Sequence, residues 1–423
     1  MKKPVILILL LALTPLSVEH LEAIDASNRH KFYPIRLDIP ALVGYRKLLE
    51  ERGVSADRQG VLIETLDGHE LLAEQNADIG FNPASVMKLS TSLVALSKLG
   101  PDYHFRTDFL ADGSVDPVTR TLYGDLVVEG GNDPVFSAAD AEHVARELQR
   151  VGVSRVTGGL RIAGGFIYFA LGYEDALSAQ TSADKLLTGL KRSGVSIANG
   201  VRFGAGGGKL LVSHYSNQLS KILLFQNAHS VNAIAEIVGR AVGGPVAIQD
   251  FLVNQVGVRD GDIFVARPSG LDFNRITPRA SLKVLRRLMS ELRWYGMKLE
   301  DIMPVAGVDC GTLRGRFESD QVRGSIIAKT GTLISLDGGV STLVGIAHTR
   351  ELGTILFAVF NAGGSVYGYR QLQDRFISEV VAEEGGGRPS GRMEDGVAGY
   401  VDESIVQDVY RSSESAASER AGD

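Results

Sequence analysis

Three short segments hold the residue types that nucleophilic catalysis requires. They are Ser85-Val86-Met87-Lys88, Ser230-Val231-Asn232 and Lys329-Thr330-Gly331-Thr332. Residues three apart on a helix lie on one face, with Cβ atoms about 5 to 6 Å apart, so Lys88 can reach the Ser85 hydroxyl. A serine hydroxyl is a weak nucleophile until a neighbouring base takes its proton, and lysine is a base only when neutral. The first segment therefore predicts a serine nucleophile activated by a lysine.

The pKa of Lys88 must fall well below its ordinary value of about 10.4 for this chemistry to work. Burial or a second cation nearby lowers the pKa of a lysine, and Lys329 is the candidate cation. A serine at the start of a helix also has backbone N–H groups directed at developing negative charge. Taken alone, however, an N-cap serine followed by a solvated lysine is the simpler interpretation of this segment.

The other two segments suggest how a substrate is held. Lys329 follows a strand-like run, and Gly331 would let the backbone approach a ligand closely, so that an extended peptide could pair alongside the strand. Lys329 supplies positive charge for an anion, which the hydroxyl of Thr330 or Thr332 could help to hold. In isolation, an ordinary turn explains this segment, and helix capping explains Ser230 and Asn232.

The elements that position these residues follow from hydrophobic periodicity. Two antiparallel strands are predicted before Ser85, because residues 60–66 alternate and Asp67-Gly68 is a hairpin signal. A helix is predicted from Ser85 to Leu99. The late apolar runs predict three strands and then a helix: Ile326 to Leu333, Val340 to His348, Thr354 to Asn361 and Tyr367 to Ala382.

In the order and combination of its motifs, the chain resembles the D-alanyl-D-alanine carboxypeptidases of the low-molecular-mass, class C penicillin-binding group. The resemblance covers most of the chain. It rests on the three segments above and on further ones in the same order: 81–89, Gly130-Gly131-Asn132-Asp133-Pro134, Ser269-Gly270-Leu271, Ile276-Thr277-Pro278 and Gly311-Thr312-Leu313-Arg314.

This resemblance implies an α/β (α+β) fold of the serine β-lactamase/DD-peptidase type, with an antiparallel sheet flanked by helices and a smaller inserted module. It implies that Ser85 attacks the D-Ala-D-Ala carbonyl, with Lys88 as base. Two further catalytic residues are implied: Ser230 would relay protons, and Asn232 would bond the substrate amide or orient Lys88. The implied substrate-binding residues are Lys329, Thr330, Gly331 and Thr332. The N–H groups of Ser85 and Thr332 would form the oxyanion hole.

The chain is predicted to divide into four parts. A charged start, a short apolar run and a small residue at the exit are typical of a cleaved signal peptide, which implies a periplasmic protein. The last part is rich in glycine, serine and acidic residues, which favours disorder. The predicted parts are a signal peptide at 1–23, a DD-peptidase domain at 24–100 and 210–383, an inserted module at 101–209 and a disordered tail at 384–423.

Composition excludes several other classes of function. A hydrophobic content of 44% and a charged content of 22% are ordinary for a globular protein, and the net charge of -6 gives no basic field for nucleic acid. The single cysteine, Cys310, cannot form an internal disulfide. Histidines such as His104, His214 and His229 show no ligand spacing, so neither a metal nor another cofactor is predicted.

The expected partners are peptidoglycan stem peptides ending in D-Ala-D-Ala and β-lactam antibiotics; the sequence does not determine the oligomeric state. A β-lactamase or an esterase on the same scaffold, or an inactive cell-wall binding protein, are the alternatives. A β-lactamase also needs a base for rapid deacylation; no motif assigns one, and Glu129 and Glu174 are the glutamates that stay open for this role. The chain departs from the family at Val231, where Asp or Asn is common, and at 162–169, which lacks the usual paired acidic residues.

Overall fold

The computed structural model of the protein describes residues 39–170, 175–392 and 394–397. The predicted signal peptide at 1–23 lies outside these ranges. Across the residues that are described, no helix combines the length and the apolar character needed to span a membrane.

Helices and strands are labelled in chain order. The helices are α1 (Pro40–Glu51), α2 (Lys88–Leu99), α3 (Ala138–Arg150), α4 (Ala179–Arg192), α5 (Leu219–His229), α6 (Asn232–Ala241), α7 (Gly244–Asn254), α8 (Pro278–Trp294) and α9 (Val366–Glu383). The strands are β1 (Gln59–Thr65), β2 (Leu71–Gln75), β3 (Arg106–Asp116), β4 (Thr121–Gly131), β5 (Arg155–Val156), β6 (Leu160–Gly165), β7 (Ser196–Ile197), β8 (Val201–Phe203), β9 (Lys209–Tyr215), β10 (Ile263–Phe264), β11 (Arg275–Ile276), β12 (Ile326–Leu333), β13 (Val340–His348) and β14 (Thr354–Ala362).

The central sheet is antiparallel and five-stranded, in the order β12-β13-β14-β1-β2. Successive side chains of its strands point to opposite faces, and both faces are covered. Val61 and Ile63 pack with α1 and α9 on one face, whereas Leu62 packs with α2 and α8 on the other. Burial on both faces explains why these strands are almost wholly apolar. The predicted fold class is confirmed, and the late strands and the closing helix agree with their predicted bounds to within about one residue.

Helix α2 is the centre of the helical layer. Every residue from Lys88 to Leu96 is buried, so the helix has no solvated face before its last turn. It packs against α5, α6, α7 and α8, and it ends at Gly100, whose φ of 80° suits only a residue without a side chain. A lysine at the start of such a helix is necessarily removed from water.

The inserted module has its own sheet and core. Its seven-stranded sheet runs β7-β5-β4-β3-β9, with β6 beside β4 and β8 beside β6, and α3 and α4 pack on it around Phe109, Leu126 and Phe136. The predicted boundary at 209 was wrong, because β9 pairs with β3 and the module therefore extends to Tyr215. Helix α4 was not predicted, although Ser178 caps it by accepting a hydrogen bond from the backbone N–H of Thr181.

The C-terminal segment does not follow the prediction of a disordered tail from Glu384. Its residues 384–392 and 394–397 lie against the catalytic domain, while 393 and 398–423 lie outside the described ranges. The N–H groups of Arg388 and Ser390 donate to the carbonyls of His348 and Gly324 at 2.8 Å each. Val397 is only 2% exposed and belongs to the main core. Disorder was predicted from the glycine-rich composition. This prediction was wrong for residues 384–392 because backbone hydrogen bonds hold the segment in place, and composition does not reveal such bonds.

We predict that ending the chain after Gly387 is more destabilising than ending it after Val397. The shorter chain loses the backbone hydrogen bonds of Arg388 and Ser390 and exposes the pocket of Val397, whose burial alone contributes roughly 1.5 to 3 kcal/mol. Thermal unfolding of the two truncated proteins measures the difference directly. Equal melting temperatures would show that residues 388–397 do not stabilise the fold.

Candidate active site

Ser85 lies on a single 3-10 turn, Ala84–Met87, that leads directly into α2. The turn begins in an unusual conformation, since Ala84 has a φ of 47°. The side chain of Asn82 holds it there: its Oδ1 accepts from the backbone N–H of Ala84 at 2.9 Å, and its Nδ2 donates to the carbonyl of Asp272 at 3.0 Å. The local backbone strain is therefore stabilised by a buried amide side chain.

Two glycines let neighbouring backbone approach this turn. A Cβ on Gly270 would lie 1.9 Å from the carbonyl oxygen of Ala84, and one on Gly331 would lie 2.5 Å from that of Pro83 and 2.2 Å from Oγ1 of Thr342. Thr342 Oγ1 also donates to the Pro83 carbonyl at 2.8 Å. Gly331 was interpreted as making room for a ligand, but the structure shows that it makes room for the turn that carries the serine.

Lys88 is fully buried, and its amine has three polar neighbours. Nζ lies 2.9 Å from Ser85 Oγ, 2.6 Å from Asn232 Oδ1 and 2.7 Å from the carbonyl oxygen of Ser269. Burial lowers the pKa of Lys88 well below its ordinary value, and the charge of Lys329 lowers it further. The arrangement can therefore keep an uncharged amine next to a serine hydroxyl, which is what a lysine base requires.

A buried carboxylate, that of Glu236, interacts electrostatically with Lys88. Glu236 lies one helical turn after Asn232 on α6, and its Oε1 accepts from the backbone N–H of Ser269 at 3.1 Å and from Nε of Arg267 at 3.1 Å. Its negative charge partly opposes the lowering of the Lys88 pKa. Sequence reasoning missed this residue, although the four-residue spacing from Asn232 places both side chains on one helix face.

Ser230 and Lys329 form the second group of the site. Ser230 ends α5 in the left-handed conformation, with a φ of 57°, and Asn232 begins α6, so Ser230 is at a helix C-terminus and not at a helix start. The Lys329 amine donates to Ser230 Oγ at 2.9 Å and to the carbonyl of Thr330 at 2.8 Å. Lys329 is fully buried, and burial lowers its pKa to about 7.

The two threonines of the third segment are tied to different parts of the chain. Oγ1 of Thr330 donates to Oγ1 of Thr312 at 2.8 Å, and Nη2 of Arg370, on α9, donates to Oγ1 of Thr332 at 3.1 Å. The structure thus brings the predicted residues together at the edge strand β12. It places Ser85, Lys88 and Asn232 in one hydrogen-bonded group and Ser230, Lys329 and Thr330 in another.

The loop that carries Thr312 is held by the C-terminal segment. The backbone N–H of Thr312 donates to the carbonyl of Ala228 at 2.8 Å, close to Ser230. Two residues earlier, the N–H of Cys310 donates to Oδ2 of Asp395 at 3.0 Å. These contacts join residues far apart in sequence. The Gly311-Thr312 motif was the only sequence signal that marked this loop as part of the site.

The central sheet flanked by helices, with a serine and a lysine at the start of a buried helix beside a Lys-Thr-Gly edge strand, defines the DD-peptidase fold class. The family model for D-Ala-D-Ala carboxypeptidase 3 (S13) matches residues 46–165 and 173–378. The match extends over most of the chain, which therefore belongs to this family.

Two curated relatives match part of the chain. The D-alanyl-D-alanine carboxypeptidase of Actinomadura sp. (strain R39) is 34% identical over 137 residues, which is 32% of this chain and 24% of the relative. The DacB carboxypeptidase of Haemophilus influenzae is 32% identical over 173 residues, 37% of this chain and 34% of the relative. The matches therefore span about a quarter to a third of the relatives' length.

Solved structures share the fold over a larger part of the chain. Penicillin-binding protein 4 (dacB) of Haemophilus influenzae superposes with a TM-score of 0.63 at 20% identity, covering 76% of this chain and 96% of that chain. A penicillin G-acylated predatory endopeptidase of Bdellovibrio bacteriovorus superposes with a TM-score of 0.65 at 23% identity, covering 79% of this chain and 95% of that chain.

We predict that Lys329→Met stabilises the fold, and that the gain depends on pH. Because the folded-state pKa is about 7 and the ordinary value is 10.5, the unfolded chain binds more protons at this group between these values. Lys329 therefore costs most stability below about pH 7, up to roughly 5 kcal/mol, and the cost disappears as the pH rises through 10.5. Denaturant unfolding of both proteins across this range measures the difference.

The exposed Lys47, on α1, supplies the matched control: Lys47→Met makes the same chemical change where no burial cost exists. Its effect on stability is expected to be small and independent of pH below about 9. A Lys329→Met gain that stayed constant from pH 6 to 10 would contradict the burial of an ionisable amine.

A second prediction concerns Glu236→Gln, which keeps an acceptor for Ser269 but removes the charge. Because the Glu236 carboxylate raises the pKa of Lys88, its loss should lower that pKa further. The acid limb of the pH–rate profile for the reaction with benzylpenicillin should move to lower pH. Glu291→Gln, at a buried carboxylate paired with Arg287 on α8, is the control and should leave the limb in place. A shift in the opposite direction would show that Glu236 does not act on Lys88 electrostatically.

Proposed function

We propose that the protein is a serine-type D-alanyl-D-alanine carboxypeptidase that acts on peptidoglycan stem peptides through an acyl-enzyme on Ser85. The observation that carries the proposal is the fully buried amine of Lys88, 2.9 Å from Ser85 Oγ. Membership of the S13 family supports the same activity. The exposed-lysine interpretation of this segment is incompatible with the burial of Lys88.

In the proposed reaction, Ser85 Oγ attacks the carbonyl carbon between the two terminal D-alanines while its proton passes to Lys88 Nζ. The N–H groups of Ser85 and Thr332 stabilise the oxyanion of the tetrahedral intermediate. The C–N bond then breaks, and the departing D-alanine amine takes a proton, which leaves an ester on Ser85. Water hydrolyses this ester, returning the proton to the serine and releasing the shortened peptide.

Ser230 and Lys329 provide the route by which the leaving amine is protonated. The Ser230 hydroxyl accepts a hydrogen bond from the Lys329 amine, and a pKa of about 7 allows that amine to give or take a proton near neutral pH. Asn232 holds Lys88 through a 2.6 Å contact, which fixes the base against the serine. Val231 lies between these residues and makes no contact in this hydrogen-bonded set.

The substrate is proposed to extend along β12. This strand is the edge of the central sheet. Its outer side bridges Val305 at Ile327, and beyond that point it has β13 on one side only, so residues 329–333 can accept an added peptide strand. The hydroxyls of Thr330 and Thr332 lie on the same strand face, since they are two residues apart. Such a strand-to-strand pairing would place a carbonyl of the peptide at Ser85 and its terminal carboxylate near Thr332.

The β-lactamase alternative has no observation in its favour. Of the two glutamates considered as deacylating bases, Glu129 lies in the inserted module, where its Oε1 accepts from the N–H of Gly207 at 2.7 Å. Glu174 lies outside the described residues. Cleavage of cross-links by the same chemistry is a further proposal, supported by the endopeptidase from Bdellovibrio bacteriovorus that shares the fold. Location in the periplasm is likewise proposed, from the signal-like residues 1–23.

We predict that benzylpenicillin adds one intact drug mass to the peptide that contains Ser85. A β-lactam presents a strained amide and a carboxylate to the groups already described, and its ring opens without losing an atom. Mass spectrometry of the protein and its digest detects the adduct. Because no motif of the sequence assigns a base for the deacylating water, the adduct should persist much longer than one peptide turnover.

Two variants control this experiment. Ser85→Ala should abolish the adduct, and Lys88→Ala should slow its formation by at least about a hundredfold while thermal unfolding still shows a folded protein. A muropeptide ending in D-Ala-D-Ala, digested in parallel, should lose one D-alanine. Labelling of another residue, or a wild-type protein that neither reacts with penicillin nor cleaves the muropeptide, would overturn the proposed function.

A further inference from the structure

Arg267 is a cation beside the site that sequence reasoning did not select. It precedes Ser269 by two residues, and the carbonyl of Ser269 accepts from Lys88 Nζ at 2.7 Å. Nε of Arg267 donates to Oε1 of Glu236 at 3.1 Å, and the same oxygen accepts from the backbone N–H of Ser269 at 3.1 Å. Glu236 therefore interacts with two cations, since it is bonded to Arg267 and its charge acts on Lys88.

Two more carboxylates lie at the other nitrogens of Arg267. Its Nη2 donates to Oδ1 of Asp175, and its Nη1 lies 3.9 Å from Oδ2 of Asp272. Asp175 belongs to the inserted module, whereas Asp272 belongs to the loop whose carbonyl accepts from Asn82. A planar guanidinium with donors in fixed directions can hold several carboxylates at once. Arg267 is thus fixed against α6, its own loop and the inserted module.

The charge of Glu236 matters because the carboxylate is close to a buried amine. Burial and the charge of Lys329 lower the pKa of Lys88, whereas the charge of Glu236 raises it. The Glu236 side chain is only 10% exposed, so its charge is weakly screened by water. A cation bonded to this carboxylate offsets its charge, and without that cation the carboxylate would favour the ammonium form of Lys88.

We propose that Arg267 is a positioning residue for the catalytic base: it balances the charge of Glu236 and thereby keeps the amine of Lys88 neutral beside Ser85. The inference rests on the proposed function, because it assumes that Lys88 is the base that activates the serine. It assigns this part to a residue that contacts neither the serine nor the lysine in the set of hydrogen bonds described above.

The test is the rate of reaction with benzylpenicillin between pH 5 and pH 10. Arg267→Gln should lower the rate on the acid limb by about 3- to 10-fold and the plateau at high pH by less than about twofold, because only the protonation of Lys88 changes. A structural defect would lower the limb and the plateau equally. Lys329 titrates in the same range, but burial sets its pKa of about 7, so its contribution is common to all variants.

Three further variants identify the route of the effect. Glu236→Gln combined with Arg267→Gln should have the acid limb of Glu236→Gln alone, because Arg267 acts through Glu236. Arg267→Lys keeps the charge and should return the limb to within about twofold of the wild type. Asp175→Asn removes an exposed partner of Arg267 but leaves Glu236 in place, so its limb should also change by less than about twofold. Thermal unfolding checks that each variant is folded.

Arg287→Gln is the matched control. Arg287 is 35% exposed and pairs with Glu291, which is 11% exposed, and the corresponding values for Arg267 and Glu236 are 29% and 10%. The control removes the same charge from a similar pair on α8, and it should leave both the limb and the plateau unchanged.

The outcomes distinguish this inference from the proposed function. A wild-type protein that does not react with benzylpenicillin would overturn the proposed function, and the inference with it. A reactive wild type in which Arg267→Gln leaves the ratio of limb to plateau unchanged, or moves the limb to lower pH, would overturn the inference alone. A double variant with its limb at higher pH than Glu236→Gln, or an equal shift in Arg287→Gln, would also overturn it.

Discussion

The site depends on one physical constraint: two lysine amines, those of Lys88 and Lys329, are held completely out of water. An ammonium buried in this way is so unfavourable that its pKa falls until the neutral form becomes accessible. The neighbours of both amines are hydroxyl, amide and carbonyl oxygens, which hold the nitrogen in place without fixing it in the charged state. The lowered pKa of both amines is thus a product of burial, and burial requires the surrounding helical layer.

Rigid backbone around Ser85 is the second requirement, because the serine must stay within 2.9 Å of the buried amine. Ala84 adopts a strained φ, and the strained turn is enclosed by backbone that approaches through Gly270 and Gly331. Each glycine therefore serves packing against the turn. The stability lost to strain and to buried amines is offset elsewhere, chiefly by the continuous apolar core around α2.

Local signals predicted the parts of the structure that depend on short stretches of chain. Strands β12 and β13 begin and end at the predicted residues, because apolar periodicity and glycine turns are properties of neighbouring residues. Contacts between distant segments were not predictable in this way. Glu236 accepts from the Ser269 N–H, Thr312 bonds Thr330, and Asp395 accepts from the Cys310 N–H, across 33, 18 and 85 residues in sequence. The strand β9 was misassigned for the same reason, since its partner β3 lies about a hundred residues earlier.

The edge strand β12 is paired with a full strand, β13, on one side, and among the described residues side-chain contacts from other parts of the chain hold its far end. One side of the strand pairs with β13, while its threonine hydroxyls are held from outside the sheet. Thr330 is tied to Thr312, whose loop is fastened by Asp395, and Thr332 is tied to Arg370 on α9. Side-chain contacts thereby position the strand, and only beyond the bridge of Ile327 to Val305 does its edge stay open, which is the condition for strand addition by a peptide.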